Sequence, residues 1–506
     1  MLARIKSTVR DTFIYSLSNI APKAAGVILL PLFTAKLALT DFGNWDLIDN
    51  TIQILSEVVI LGQASAIIFL NNSAEYKSKK ESALFTLTSF LIFIGIVLVL
   101  LTEILLSNYD SLLQYAQITS EHIRLACYIV LLRVINNLFL AKLRADEESI
   151  YFSIISLAKT LLMTIAIIYF VAYANKNIEG VLFGLLLSEL LAAIVLLLKM
   201  FPRMKFVFDK QILATAIKFG FPLIFSSLGF MLLNQGDRFL IKYLLGSKYV
   251  ALYGLAYRIA GVLNMFLIFP FTLGLLPVAY KYYRQPDDNR FFSKLMTYST
   301  FFFVWGFIFI SLFSKELVVV FGQRDGYHSA YLIIPIILLS YVLSGMRLTA
   351  SLGMMLTKNT KHIAWITLLS SAVNILLNFI FVPAFGIIAA AINTLVAFVL
   401  FYFLTIHFSN KYFKIKFENQ KLFIMIFIGC VLSSTVYIIQ EMNLALQYAL
   451  KIILVIAFPF ILFMFKFYEK AELNVLNSPA KMIDFIKGIV RGTKDNSIDS
   501  NSLIQS

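Results

Sequence analysis

Residues 229–246 read GFMLLNQGDRFLIKYLLG, an apolar stretch with an aspartate and an arginine, Asp237 and Arg238, side by side near its centre. With the apolar run before it, the stretch is long enough to cross a bilayer as a helix, which takes about 20 residues. Charge at that depth is costly against lipid, so the pair marks a helix with one face turned to protein or water. The whole chain has this character: of 506 residues, 60% are hydrophobic and 14% charged. Soluble domains run nearer about 45–50% apolar and about 25% charged. The composition therefore belongs to an integral membrane protein and excludes a soluble enzyme with a large core.

Fourteen candidate spans follow from apolar runs, at about 13–37, 43–70, 83–106, 121–141, 150–174, 178–198, 213–241, 249–280, 293–314, 328–356, 362–383, 387–408, 422–440 and 447–466. The basic start MLARIKSTVRDTF precedes an apolar run too long for a signal peptide, so that run is expected to be the first span. With the N-terminus inside, 28 of the 43 Lys and Arg fall in cytoplasmic segments, 6 on the opposite side and 9 within spans. Positive charge concentrates on the cytoplasmic side of membrane proteins, so both termini are expected there. The net charge of +15 is then a matter of topology and of anionic lipid, and calls for no nucleic acid.

The segments DFGNWDLIDNTIQIL (41–55) and YVALYGLAYRIAGVL (249–263) follow similar polar turns and hint at a repeat. The expected fold is all-α: two parallel six-helix lobes around a central cationic cavity, plus two C-terminal helices. The lobes are 1–210 and 211–410, the extra spans occupy 411–470, and 471–506 is a polar cytoplasmic tail. Cys127 and Cys430 lie in apolar runs, and His122, His328, His362 and His407 have no metal-ligand spacing, so no metal cofactor is expected from them.

Nine basic residues lie within spans: Lys23, Arg124, Arg133, Lys159, Lys218, Arg238, Arg258, Arg347 and Lys451. Against lipid at mid-depth each would cost roughly 2.5–3.5 kcal/mol. Arg124, Lys218 and Lys451 lie near span ends, where a long side chain can reach the headgroups. Lys23, Arg133, Lys159, Arg258 and Arg347 are deeper. Polar residues accompany them at helical spacing, as in Asp46, Asn50, Gln53 and Glu57 of span 2 or Ser340, Ser344, Arg347 and Ser351 of span 10. The plain alternative is a buried ion pair such as Glu57 with Lys23. Only Glu57, Glu189 and Asp237 stand clearly inside spans to neutralise nine cations, and the surplus makes an anion-attracting cavity.

The 6 + 6 layout, LNQGDRFLIKYLLG (233–246), VALYGLAYRIAGVLNMF (250–266) and NILLNFIFVPAFGIIAAAINTLVAF (374–398) together resemble the polysaccharide repeat-unit flippases of the multidrug/oligosaccharidyl-lipid/polysaccharide exporter superfamily. The resemblance implies a transporter and not an enzyme, in the bacterial inner membrane. It would move an undecaprenyl-diphosphate-linked oligosaccharide to the periplasmic face by alternating access. It also implies that Lys23, Arg133, Lys159, Arg258 and Arg347 bind the diphosphate or acidic sugars. A sodium site is implied at Asp237, Asn374, Asn378 and Thr394; because Asn378 stands where a second carboxylate can occur, proton coupling through Asp237 or Glu57 is equally open. Membrane lipids, a polysaccharide polymerase and a chain-length regulator are the implied partners. The competing readings are a peptidoglycan-precursor flippase, a multidrug cation antiporter, a broken-helix symporter, and a membrane polymerase or ligase. Short outside loops speak against the last of these, and the in-span bases against the antiporter.

Overall fold

The computed structural model describes residue 18 and residues 20–108, 118–439, 443–465 and 467–469. The first residues of expected span 1 and the expected tail 471–506 lie outside the described residues. Among the described residues all regular structure is helical, and the chain divides between Phe417 and Glu418 into two compact units.

In the first unit, helical residues 20–28 lead into α1 (Leu30–Lys36), followed by α2 (Leu39–Ile60), α3 (Gln63–Asn72), α4 (Lys80–Asn108), α5 (Ser120–Ala145), α6 (Ser149–Ile168) and α7 (Ile178–Met200). The second half of this unit contains α8 (Lys210–Gln235), α9 (Asp237–Leu245), α10 (Ser247–Leu263), α11 (Phe269–Tyr282), α12 (Asp288–Leu312), α13 (Ser314–Phe321), α14 (Ile334–Ala350) and α15 (Lys361–Ser409). The second unit holds α16 (Asn419–Ser434) and α17 (Leu444–Met464).

Local chemistry sets several of these boundaries. Thr119 caps α5 by accepting from the His122 backbone N–H, while the His122 ring accepts from the Thr119 N–H, so two donors at the helix start are satisfied reciprocally. Asp209 caps α8 through the Gln211 and Ile212 N–H groups and bonds Lys79 at 2.9 Å. The Lys79 bond holds the Asp209 carboxyl below its ordinary range. Between α10 and α11 the helix widens over Asn264–Ile268. Pro270 lies just beyond, and a proline lacks the N–H that regular helical bonding requires.

Eleven of the described helices are long and apolar enough to cross a membrane, or twelve with α2 and α3, bent by 41°, taken as one span. This is fewer than the fourteen segments of the sequence reading, and two reasons are visible. The first span lies partly outside the described residues, and the expected spans 362–383 and 387–408 form one 49-residue element, α15. At about 1.5 Å per residue an unbroken helix of that length would run about 70 Å, more than twice the hydrocarbon thickness. Gly386 interrupts it at φ 65° and ψ −151°, a backbone that a residue with a Cβ adopts only under strain.

The two halves of the first unit meet most extensively where α10 lies along α2. Between helices in lipid the driving force is close packing, which favours small residues. Gly43 and Gly254 supply it: a Cβ on Gly43 would fall 2.0 Å from the Ser247 carbonyl oxygen, and one on Gly254 2.8 Å from Asp46 Cγ. Gly254→Ala is therefore expected to push Asp46 aside and destabilise the protein by about 1–3 kcal/mol; thermal unfolding of the purified protein checks this. Near this crossing, Thr34 Oγ1 donates to the Phe321 carbonyl at 2.6 Å, Arg324 to that of Ala35 at 2.9 Å, and Tyr327 stands edge-on to Phe42. These contacts close one end of the interface.

Candidate functional site

A cavity of about 610 Å³ opens between the halves, a size typical of sites that enclose a drug-sized molecule. Its wall includes Lys23 from the first helical segment, Arg133 of α5, Lys159 of α6, Glu189 of α7, Arg238 of α9 and Arg258 of α10. One face of α2 contributes Asp46, Asp49, Asn50 and Gln53, spaced so that they share that face.

Two carboxylates organise the charge. Glu189, buried, accepts from Arg133 Nε at 3.0 Å, from Lys159 Nζ at 3.0 Å and from Asn136 Nδ2 at 2.8 Å. Two helices, α5 and α6, are thereby tied to a third, α7. Asp46, also buried, accepts from Arg238 Nε at 2.8 Å and from Arg258 Nη2 at 3.0 Å, with Asn50 Nδ2 3.3 Å away. Asp49 stands 3.5 Å from Arg258. Arg238 also donates to the Asn234 carbonyl at 3.0 Å and lies 4.5 Å over the Tyr257 ring. Gln235 Nε2 donates to Gln53 Oε1 at 3.2 Å, which links α8 as well as α9 to α2. Lys23 has no carboxylate partner among the described residues; its ammonium sits 4.3 Å over the Phe269 ring.

Of the five expected anion ligands, the structure brings Lys23, Arg133, Lys159 and Arg258 to one cavity. Arg347 goes elsewhere: it packs 4.5 Å over the Phe401 ring of α15, and its buried Nε has no hydrogen-bond partner among the described residues. Helical spacing found a polar stripe on α14 but not the helix that covers it. The expected surplus of charge is also smaller than the sequence indicated, because Asp46 and Asp49 neutralise Arg238 and Arg258. Lys451, expected to reach the headgroups, is instead buried. The Lys23–Glu57 pair is not formed: Glu57 makes no ion pair among the described residues and is not on the cavity wall.

The residues expected to form an ion site do come together, behind the cavity in the second half. Asp237, Asn374, Asn378 and Thr394 are all fully buried. Thr394 Oγ1 donates to Asp237 Oδ2 at 2.7 Å, Asn378 Nδ2 to Oδ1 at 3.2 Å, and Tyr253 donates its hydroxyl to Oδ2. Asn393 Nδ2 bonds Asn378 Oδ1 at 3.0 Å. One terminal atom of the Asn374 amide lies 2.7 Å from Asp237 Oδ1. Hydrogen-bond logic makes that atom the nitrogen. Rotating the amide would set two oxygens face to face, an arrangement that needs a cation or proton beside them. A carboxylate, an amide oxygen and a hydroxyl are the donors a hard monovalent cation takes, so the set fits sodium with Asn374 turned and is satisfied by hydrogen bonds without it. Sequence reasoning missed Tyr253 and Asn393 here, and nothing in their local sequence signals the role.

Residues 8–283 match the family described as polysaccharide biosynthesis protein. Among solved structures, the fold is similar to that of a lipid II flippase MurJ in an inward closed conformation, with 17% identity and a TM-score of 0.65 over 90% of this chain and 100% of that one. It is similar to an inward-facing multidrug resistance MATE family transporter of the MOP superfamily, with 15% identity and a TM-score of 0.60 over 78% and 95% of the two chains. An outward-facing MATE structure gives 16%, 0.55, and coverage of 83% and 96%. No curated protein matches the sequence.

Proposed function

From the chain's membership of the polysaccharide biosynthesis protein family and its MurJ- and MATE-like fold, we propose that it is a flippase for an undecaprenyl-diphosphate-linked oligosaccharide. It carries this cargo from the cytoplasmic to the periplasmic face of the bacterial inner membrane by alternating access, driven by a sodium or proton gradient.

The observation that carries the reading is the cavity itself. It is walled by both halves, and cations outnumber carboxylates among the described residues that line it, which suits a compact anionic headgroup next to sugars. The MATE structures, described as inward-facing and outward-facing, support a rocking motion for this fold. Under the orientation given by the basic residues, the contacts of Thr34 with Phe321, Arg324 with Ala35 and Tyr327 with Phe42 lie on the periplasmic side, and the stacking of Phe69 on Phe219 joins the halves on the cytoplasmic side. The product would then meet a polysaccharide polymerase and its chain-length regulator on the far face.

The wall points away from a multidrug cation antiporter, since a positive cavity repels cationic drugs. A peptidoglycan-precursor flippase shares the diphosphate chemistry, and the likeness to the lipid II flippase favours it as the second reading. Flipping assays with the two cargoes separate them.

Lys23→Ala and Arg258→Ala are each expected to slow flipping in proteoliposomes by about tenfold to a hundredfold, the worth of one hydrogen bond to a charged group. Arg347→Met, off the wall, should leave cargo affinity unchanged. Undiminished transport by both cavity variants would sink the reading of the wall as the cargo site.

A further inference from the structure

We propose that the cavity is charge-matched to a diphosphate bearing a neutral glycan, and that it discriminates against glycans with carboxylates of their own. The inference rests on the flippase reading above and narrows its substrate class.

Among the described residues lining the cavity, five are cations, Lys23, Arg133, Lys159, Arg238 and Arg258, and three are carboxylates, Asp46, Asp49 and Glu189. The wall therefore carries a surplus of two positive charges. A diphosphate diester has one ionised oxygen on each phosphorus, so the headgroup alone takes up that surplus.

The arrangement of the charges leads to the same conclusion as their number. Glu189 is shared by Arg133 and Lys159, and Asp46 by Arg238 and Arg258. Each of these two carboxylates is also held by an amide, Asn136 or Asn50, so neither is free to swing away from an incoming anion. Lys23 is the cavity cation with no carboxylate partner among the described residues. The remainder of the wall offers neutral groups, including Asn50, Gln53, Asn137, Asn234 and the rings of Tyr257 and Tyr341. These can exchange hydrogen bonds with hydroxyls and stack on sugar rings. A uronate entering with the diphosphate would be desolvated beside fixed carboxylates with no uncommitted cation to receive it. Selection of this kind works by repelling the wrong cargo.

The test uses the full chain in proteoliposomes and three cargoes on one polyprenyl diphosphate: a neutral oligosaccharide, the same oligosaccharide with one hexose replaced by its hexuronic acid, and the methyl ester of that acid. The neutral cargo is expected to flip, the acid at least tenfold more slowly, and the ester at close to the neutral rate, because esterification removes charge while adding bulk. Asp49→Asn, which raises the surplus by one, is expected to narrow the gap between acid and ester severalfold. Equal rates for neutral and acidic cargo overturn the proposal and leave the flippase reading standing. A slow ester also overturns it, because discrimination would then follow size. Failure to move any of the three cargoes overturns the flippase reading, and this inference with it.

Discussion

Asp237→Asn is expected to flatten the dependence of transport on the driving gradient, so that rates with and without a sodium or proton gradient converge while residual flipping persists. The physical reason is the completeness of the site. Asp237 is fully buried, and its oxygens are met by Thr394, Tyr253 and Asn378. A carboxylate in such surroundings gains much from a counter-charge, whether proton or metal ion, and an amide cannot hold either in the same way. The identity of the ion follows from which gradient loses its effect. Glu57→Gln provides the contrast, since Glu57 stands off the cavity wall without an ion pair among the described residues, and it is expected to leave the gradient dependence intact. An Asp237→Asn protein that still responds fully to both gradients would remove Asp237 from coupling.

Asp46→Asn is expected to destabilise the protein by about 3–5 kcal/mol, because it leaves Arg238 without its carboxylate and Arg258 with only the longer contact to Asp49. Thermal unfolding in detergent measures this loss. Adding Arg238→Gln to Asp46→Asn should recover part of it, since the double variant no longer buries that unpaired guanidinium. Additive losses in the double variant would mean that the pair seen across the halves contributes little. Transport is expected to fall further than stability alone predicts, because Asp46 also sets the positions of two cations on the cavity wall.

The opening stretch 229–246 shows how far the sequence could be read. Adjacent residues on a helix point about 100° apart, and Asp237 and Arg238 do serve different sites. The partners of Asp237 at Asn374, Asn378 and Thr394 were reachable because the segment 374–398 resembles a known family pattern, whereas Tyr253 was not. The partner of Arg238 was not, since Asp46 lies 192 positions away in the chain and no local pattern connects them. Four of the five cations named from depth and polar company line the cavity. Arg347 does not, because spacing along α14 identifies a polar face without identifying what packs on it. The all-helical fold was legible from composition and apolar runs, whereas the joining of two expected spans into one element broken at Gly386 depends on a single backbone conformation.

The glycine crossing of α2 and α10 has a mechanical consequence. A contact too tight to accept a methyl group has no slack for sliding, so any relative movement that keeps it intact is a swivel about that point. Gly43 lies about one helical turn from Leu39 and roughly eight turns from Asn72 along α2 and α3. The two arms of this lever are therefore very unequal. The long arm meets the other half a second time at Gly62, where a Cβ would fall 2.4 Å from the Gly220 carbonyl oxygen, so a movement that keeps both seats turns about the line joining them, and two glycine positions define a hinge axis.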